Sequence, residues 1–146
     1  MTHPEITCHR CNARNRVPAN TSGRPTCGKC HEDLAWLSDL GGADFASVIE
    51  SSSVPVLVDL WARWCGPCRV VAPALEDLAK ARAGKLRILK VDVDEAPSVS
   101  ERLGVRGIPT LVLFNHGAEV ARTVGAMPGE RIRQWVDTSL AWSPAS

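Results

Sequence analysis

The sequence lacks long hydrophobic runs and any strong excess of charge of one sign. No apolar run approaches the roughly 18 residues that a membrane-spanning helix needs, and the first residues, Met-Thr-His-Pro-Glu-Ile-Thr, contain neither the basic nor the continuous apolar part of an export signal. The formal net charge of +1 argues against a surface built to wrap nucleic acid. Together these absences predict a soluble cytoplasmic protein that neither crosses a membrane nor depends on nucleic acid.

The N-terminal segment lacks aromatic residues, although it is basic. Residues 1–31 carry five basic side chains against one acid, a balance of 5 − 1 = +4, and contain no Phe, Trp or Tyr. Single-stranded nucleic acid is usually bound by aromatic side chains interleaved with cations, so RNA binding is disfavoured. A zinc ion bound by four thiolates has a net charge of −2, which nearby cations would offset. A metal site therefore accounts for most of the positive charge.

Cysteine is present as three Cys-x-x-Cys pairs, of which the first two have metal-ligand spacing. Fifteen residues separate Cys8/Cys11 from Cys27/Cys30, and this spacing is typical of a zinc site. Four soft thiolates favour one closed, tetrahedral, structural Zn²⁺. Two alternatives remain: His9 or His31 could replace a cysteine ligand, or the pairs could be redox-active, so that oxidation expels the metal.

The segments around these pairs indicate how the chain is divided. Residues 1–33 show little apolar periodicity, so a bound metal is expected to supply the folding energy of a small zinc ribbon. Residues 34–42 are expected to form a joint and a short edge strand. Residues 43–146 are long enough to bury one ordinary hydrophobic core.

In residues 43–146 strand-like and helix-like patterns alternate. Helices are predicted around Val48, from Cys65 past Leu78, over 97–103 and around Ile132. Strands are predicted over 54–61, 86–91, 110–115 and 119–124, the last two forming a hairpin. This order predicts an α/β fold with a mixed central sheet flanked by helices.

The third pair, Cys65/Cys68, directly follows a predicted buried strand and opens a helix. Unpaired backbone N–H groups at a helix N-terminus stabilise a thiolate, so Cys65 is expected to be the nucleophile with a lowered pKa. Cys68, one turn further along, would then close on Cys65 and release a bound partner. The alternative is a further metal knuckle or two inert thiols.

Three other residues have readings that the sequence leaves open. Asp59 interrupts the apolar strand, so desolvation should raise its pKa unless it lies at a solvent-facing strand end. Lys90, taken alone, is a solvated strand residue, and Pro109, taken alone, is a trans loop proline.

The segment Asp59-Leu-Trp-Ala-Arg-Trp-Cys-Gly-Pro-Cys68 closely resembles the thioredoxin family. Gly107-Ile108-Pro109-Thr110, Lys90, Gly125 and Pro73 occur in the order of that family, so the resemblance covers about residues 40–142. With the two upstream cysteine pairs, the whole chain resembles the zinc-carrying bacterial type. The expected fold is a thioredoxin fold with a small N-terminal zinc ribbon.

The resemblance implies roles for particular residues. Asp59 would take the proton of Cys68, and Lys90 would tune Asp59. Ile108-Pro109 would be a cis peptide facing the dithiol, with Trp61 packed beside the site. The residues implied in substrate binding are Trp64, Gly66, Pro67, Ile108, Pro109 and Gly125.

The implied activity is reduction of partner disulfides by thiol-disulfide exchange. The implied electron donor is an NADPH-dependent thioredoxin reductase, and the implied acceptors include ribonucleotide reductase, peroxiredoxin and methionine sulfoxide reductase. No bound organic cofactor is expected, since the sequence has no nucleotide-binding Gly-rich turn. The alternatives are a zinc-ribbon module that binds protein or RNA, with the second domain as an adapter, and a redox-responsive zinc switch. An oxidant or isomerase is disfavoured by Gly66-Pro67, while Arg63 and Arg69 beside the motif leave the partner preference open.

Overall fold

The computed structural model describes residues 5–17 and 25–142. Within these residues the strands are β1 (Glu5–Thr7), β2 (Arg14–Arg16), β3 (Leu37–Asp39), β4 (Val56–Trp61), β5 (Arg87–Asp92), β6 (Thr110–Asn115) and β7 (Ala118–Val124). The helices are α1 (Phe45–Ser51), α2 (Gly66–Ala81), α3 (Pro97–Leu103) and α4 (Gly129–Ser139). The elements predicted in residues 43–146 are all present, with bounds that differ by at most a few residues. The α/β prediction is confirmed.

A five-stranded mixed sheet has the order β3-β5-β4-β6-β7. Strands β3, β5 and β4 are parallel, whereas β6 runs antiparallel to β4 and β7 antiparallel to β6. The carboxyl ends of the three parallel strands therefore meet at one edge of the sheet, which is where ligand and reaction sites of α/β sheets form.

Alternate strand residues enter two different cores, one on each face of the sheet. On one face Val58, Leu89 and Val112 pack under α1 and α3, and on the other Leu57, Ile88 and Leu111 pack under α2 and α4. Side chains alternate between faces along a strand, so Asp59, two residues after Leu57, is directed toward the α2 face. Both helix layers are thus held by burial of apolar area.

The N-terminal segment has a small core of its own. Strands β1 and β2 form an antiparallel pair, and a single bridge joins Thr26 to Asp33. The buried residues of this cluster are Ile6, Cys8, Val17, Cys27, Leu34 and Trp36. Because so few apolar side chains take part, they cannot order the segment without a further source of stability.

A buried arginine connects this small core to the large sheet. The Arg87 guanidinium, at the start of β5, lies 5.0 Å from the centroid of the Trp36 ring. Its Nη2 donates a hydrogen bond of 2.6 Å to the carbonyl oxygen of Val17. Burial lowers the pKa of Arg87 to about 10. The sequence pattern had indicated an apolar strand here and did not reveal this cation.

Candidate active site and metal centre

Cys65 and Cys68 lie where β4 gives way to α2. Cys65 is the N-cap of α2, and its Sγ accepts a hydrogen bond of 3.3 Å from the backbone N–H of Cys68. A disulfide joins the two cysteines, whose Cα atoms are 5.4 Å apart. The predicted position of the first sulfur at a helix N-terminus is therefore observed, and the pair can exist in oxidised and reduced forms.

The loop that carries Pro109 lies against the dithiol. Ile108 packs against the cluster formed by Ala62, Cys65 and Cys68. The Ile108-Pro109 peptide is cis, as the resemblance implied. The backbone N–H of Gly125 donates a 2.9 Å hydrogen bond to the carbonyl oxygen of Pro109, so the two predicted loops lie side by side.

One further hydrogen bond and one backbone angle support this pair of loops. Thr110 Oγ1 donates a hydrogen bond to the carbonyl oxygen of Gly107. Gly125 has φ = +101°, a backbone conformation that side-chain-bearing residues rarely adopt. A glycine is thus needed at the position where the chain turns beside Pro109.

Several exposed apolar side chains lie close in sequence to the dithiol or to the loop that carries Gly125. Trp64 is 70% exposed, and its Nε1 donates a 2.8 Å hydrogen bond to Asp94 Oδ2. Val70 and Val124 are 68% and 62% exposed. Sequence reasoning missed both valines, although an apolar residue directly before Gly125 was a usable signal. Gly66 and Pro67 are exposed in the first turn of α2.

Asp59 is buried on β4, opposite Lys90 of β5. Burial raises the pKa of Asp59 to about 6, and the positive charge of Lys90 acts in the opposite direction. Lys90 Nζ lies 4.5 Å from the centroid of the Trp61 ring. The predicted desolvation of Asp59 is confirmed, and a carboxyl group with this pKa can gain or lose a proton near neutral pH.

The four N-terminal cysteines form one cluster. The Sγ atoms of Cys8, Cys11, Cys27 and Cys30 all lie within 4.8 Å of one another, and two of the distances, Cys8–Cys30 and Cys11–Cys27, are 3.6 Å. In a tetrahedral site with Zn–S bonds of about 2.3 Å the sulfurs are roughly 3.8 Å apart. The cluster therefore fits a single metal ion. Among the described residues neither predicted substitute, His9 or His31, belongs to it.

Backbone groups around the cluster favour the thiolate form of two ligands. The backbone N–H groups of Cys30 and Lys29 lower the pKa of Cys27 to about 6. The backbone N–H of Cys11 likewise lowers the pKa of Cys8. Against the backbone N–H of Glu32, burial and the neighbouring cysteine side chains raise the pKa of Cys30 to about 11. Metal binding requires deprotonated cysteine, so the lowered pKa values of Cys8 and Cys27 favour a metal site, in which the cation would also stabilise the Cys30 thiolate.

The turns that carry the four cysteines use left-handed residues other than glycine. Asn12 and His31, each directly after the second cysteine of a pair, have φ of 62° and 66°. Gly28 lies between Cys27 and Cys30, and its backbone N–H donates a 2.9 Å hydrogen bond to Asn15 Oδ1. Asn15 Nδ2 in turn lies 3.5 Å from Cys27 Sγ.

A buried dithiol at the N-terminus of a helix, beside a cis-proline loop on a mixed sheet, defines a thiol-disulfide exchange protein. The thioredoxin family model matches residues 37–138, and the chain belongs to the thioredoxin family. It is a thioredoxin-type disulfide oxidoreductase. No helix found in residues 5–17 and 25–142 has the length and hydropathy needed to cross a membrane.

Three similar proteins illustrate how far the likeness extends. Thioredoxin C-3 of Corynebacterium nephridii is 42% identical over 138 residues, which cover 92% of this chain and 94% of that protein. Thioredoxin of Haemophilus influenzae is 44% identical and covers 69% of this chain and 94% of its own length. Thioredoxin M-type, chloroplastic, of Chlamydomonas reinhardtii is 44% identical and covers 87% of this chain and 95% of its own length.

Proposed function

We propose that this protein is a general reductant of protein disulfides, with Cys65 as nucleophile and Cys68 as resolving thiol. The observation that carries this proposal is the position of Cys65 Sγ at the N-cap of α2, bonded to Cys68 and flanked by the Ile108-Pro109 loop. The backbone N–H groups of a helix N-terminus favour a thiolate on the sulfur that attacks.

The proposed exchange conserves electrons and protons in two steps. The Cys65 thiolate attacks one sulfur of the partner disulfide, forming a Cys65–partner disulfide while the other partner sulfur leaves as a thiolate and takes up a proton. The Cys68 sulfur, after losing its proton, then attacks Cys65 Sγ. The Cys65–Cys68 disulfide forms, and the second partner sulfur leaves and is protonated. Two electrons pass from the dithiol to the partner.

Asp59 and Lys90 are proposed to manage the proton of Cys68. A group with a pKa of about 6 can accept a proton near neutral pH and later return it to water. The charge of Lys90, on the neighbouring strand, favours the ionised form of Asp59. Their proposed roles are those of a proton acceptor and of a residue that tunes it.

The partner chain is proposed to bind along Trp64, Gly66, Pro67, Ile108, Pro109 and Gly125. This proposal is supported by the exposure of Trp64 and by the hydrogen bond that holds Gly125 beside Pro109. Apolar contacts with these six residues depend little on the partner's sequence, which suits a general reductant.

The four-cysteine cluster is proposed to hold one structural Zn²⁺, as in the zinc-carrying type called thioredoxin 2. Zinc would cross-link the two cysteine pairs and stabilise the fold of residues 1–33. We further propose that residues 34–42 join this ribbon to a thioredoxin domain at 43–146. A set of free thiolate ligands requires a reducing compartment, which supports the cytoplasm as the location.

The proposed electron donor is an NADPH-dependent thioredoxin reductase. The proposed acceptors are disulfide-containing proteins such as ribonucleotide reductase, peroxiredoxin and methionine sulfoxide reductase. Membership of the thioredoxin family supports the proposal of these partners.

Reductase-coupled consumption of NADPH with a disulfide protein as acceptor tests the proposal. Wild type should turn over, Cys65→Ser should not, and Cys68→Ser should accumulate a mixed disulfide that mass spectrometry can identify. The double variant Cys8→Ser/Cys11→Ser is the matched control, because it removes one Cys-x-x-Cys pair outside the dithiol and should retain turnover. Turnover by Cys65→Ser would contradict the assignment of the nucleophile.

A further inference from the structure

We propose that Arg69 is a specificity-determining residue, which favours partner disulfides that have an acidic side chain beside the attacked cysteine. The inference rests on the proposed reductase function and adds a substrate class to it. Arg69 is exposed and directly follows Cys68 in α2.

The Arg69 side chain is held along the dithiol segment. Its Nη2 donates a 2.8 Å hydrogen bond to the carbonyl oxygen of Arg63, two residues before Cys65. The Arg69 side chain therefore connects the residue after Cys68 with the backbone two residues before Cys65. A guanidinium that is already positioned loses less conformational entropy when it binds a carboxylate.

Arg69 retains most of its hydrogen-bonding capacity. A guanidinium has five N–H donors, and among the described residues the carbonyl oxygen of Arg63 is the one partner of Arg69. No carboxylate in residues 5–17 or 25–142 forms an ion pair with it. Its charge is thus available to a partner that approaches the dithiol.

Arg63, the other arginine beside the motif, differs in this respect. Its guanidinium lies 3.4 Å from Glu95 and 3.9 Å from Asp92. The nearby carboxylate of Asp94 accepts the Trp64 indole hydrogen bond. The carboxylates at the β5–α3 loop therefore already have partners in Arg63 and Trp64. Arg69, on the α2 side, has no acidic partner in the described parts of the chain.

Helix stability does not account for a cation at this position. A positive side chain near a helix N-terminus is unfavourable, and the first turn of α2 contains no acidic residue to offset it. A partner carboxylate bound there would interact favourably with both the guanidinium and the helix end. Val70, the next residue of α2, is also exposed and would supply apolar contact to the same partner.

Matched peptide disulfides test this proposal. Each peptide has Glu, Gln or Lys next to the cysteine that Cys65 attacks, and kcat/KM is measured for wild type, Arg69→Gln and Arg69→Glu. For wild type we expect the Glu peptide to exceed the Lys peptide by about threefold to tenfold, and high salt to reduce this ratio. Arg69→Gln should bring the ratio close to one, and Arg69→Glu should invert it.

Lys85→Glu is the control for net charge. Lys85 is exposed just before β5, at the opposite end of the parallel strands from the dithiol, and its replacement changes the charge by the same amount. It should leave the Glu-to-Lys ratio at the wild-type value. An equal shift in Lys85→Glu and Arg69→Glu would overturn the proposal, because the whole-molecule charge would then set the preference.

A second measurement separates selectivity from activation of Cys65. The pH profile of alkylation by uncharged iodoacetamide gives the pKa of the Cys65 thiol in each variant. If Arg69 acts only on that pKa, its variants slow all three peptides equally and the Glu-to-Lys ratio stays unchanged, which overturns the proposal. Turnover of the Gln peptide tests the reductase function separately, since its absence from wild type contradicts that function and not the role of Arg69 alone.

Discussion

The Asp59 carboxylate and the Lys90 amine extend from directly paired positions on β4 and β5, yet Lys90 Nζ lies over the ring of Trp61. Asp59 Oδ1 is buried without a hydrogen-bond partner among the described residues. Burial therefore dominates over the attraction to Lys90, and the pKa of Asp59 rises to about 6. An ionisable group kept at such a cost is typical of a functional site.

Replacing Asp59 by Asn is expected to stabilise the protein at neutral pH. The folded pKa of about 6 lies above the unfolded value of about 3.9. Between these values the folded state binds more protons, so the free energy of unfolding falls as pH rises. At pH 7.5 the variant should exceed wild type by about 2–3 kcal/mol, and below pH 4 the difference should be small.

Urea unfolding of both proteins from pH 3.5 to 8 measures this difference. Asp77→Asn is the matched control, because Asp77 is exposed on α2 and should show no comparable change with pH. A difference between Asp59→Asn and wild type that is the same at every pH would contradict the assigned pKa.

The reduced Cys65 thiol is expected to react unusually fast. As the N-cap of α2, Cys65 lies where backbone N–H groups favour the thiolate, so its pKa should fall below the ordinary value of about 8.5. At pH 7 the Cys68→Ser variant, which isolates this thiol, should react with iodoacetamide several-fold faster than glutathione does. Peptide mapping identifies the labelled cysteine, and a rate no faster than that of glutathione would remove the basis of the mechanism.

Metal removal is expected to loosen the N-terminal segment and leave the sheet folded. The cluster around Cys8 and Cys27 buries few apolar side chains, whereas both faces of the large sheet have extensive cores. After chelation at pH 7, one zinc ion per chain should be released. Hydrogen exchange should become fast in residues 5–17 and 25–36 and stay slow in β4, β5 and β6.

Turnover assays on the demetallated protein and on protein treated with mild peroxide decide whether the metal site is regulatory. With a purely structural role, reductase turnover survives demetallation. If mild peroxide releases the zinc and turnover changes with it, the redox-responsive zinc switch becomes the better account of this segment.

Replacing Arg87 by Met is expected to weaken the attachment of the N-terminal segment. The change removes a 2.6 Å hydrogen bond to the buried carbonyl of Val17 and the contact with the Trp36 ring. Leaving a buried acceptor without this donor should lower the free energy of unfolding by about 1–3 kcal/mol.

Hydrogen exchange and urea unfolding measure that effect. Protection should fall first in residues 5–17, next to the lost contact. Lys85→Met is the matched control, because it removes a positive charge two residues before Arg87. The Lys85 side chain is exposed, so its loss should lower the free energy of unfolding only slightly. Equal losses in the two variants would show that charge, and not the contacts of Arg87, is responsible.

Much of the fold was predictable because its elements have strong local signals. The predicted bounds 97–103 and 110–115 coincide with α3 and β6. Strand β4 was recognisable from its β-branched apolar run. The single acidic residue in that run, Asp59, was recognisable as a candidate site residue. The Cys-x-x-Cys pairs separated into two sets because one pair directly follows that strand and the other two have the spacing of metal ligands.

The residues that were missed depend on neighbours distant in the sequence. Arg87 lies in a segment that reads as an apolar strand, and its partners Val17 and Trp36 belong to the N-terminal segment. Val124 lies close to the proposed partner-binding residues because a hydrogen bond places its neighbour Gly125 beside Pro109. The engagement of Arg63 by Glu95 and Asp92, which distinguishes it from Arg69, joins residues about thirty positions apart.

Local sequence patterns specify the kinds of element, their order, the two sets of cysteines and the chemistry available to each set. These properties depend on side-chain type and on spacing over a few residues, which local backbone preference and apolar periodicity translate directly into structure. Tertiary packing sets how deeply Asp59 is buried, which arginine lies beside carboxylates, and which buried cation connects the N-terminal segment to the large sheet. Those outcomes depend on dielectric surroundings and distances that arise only when segments far apart in the chain pack together.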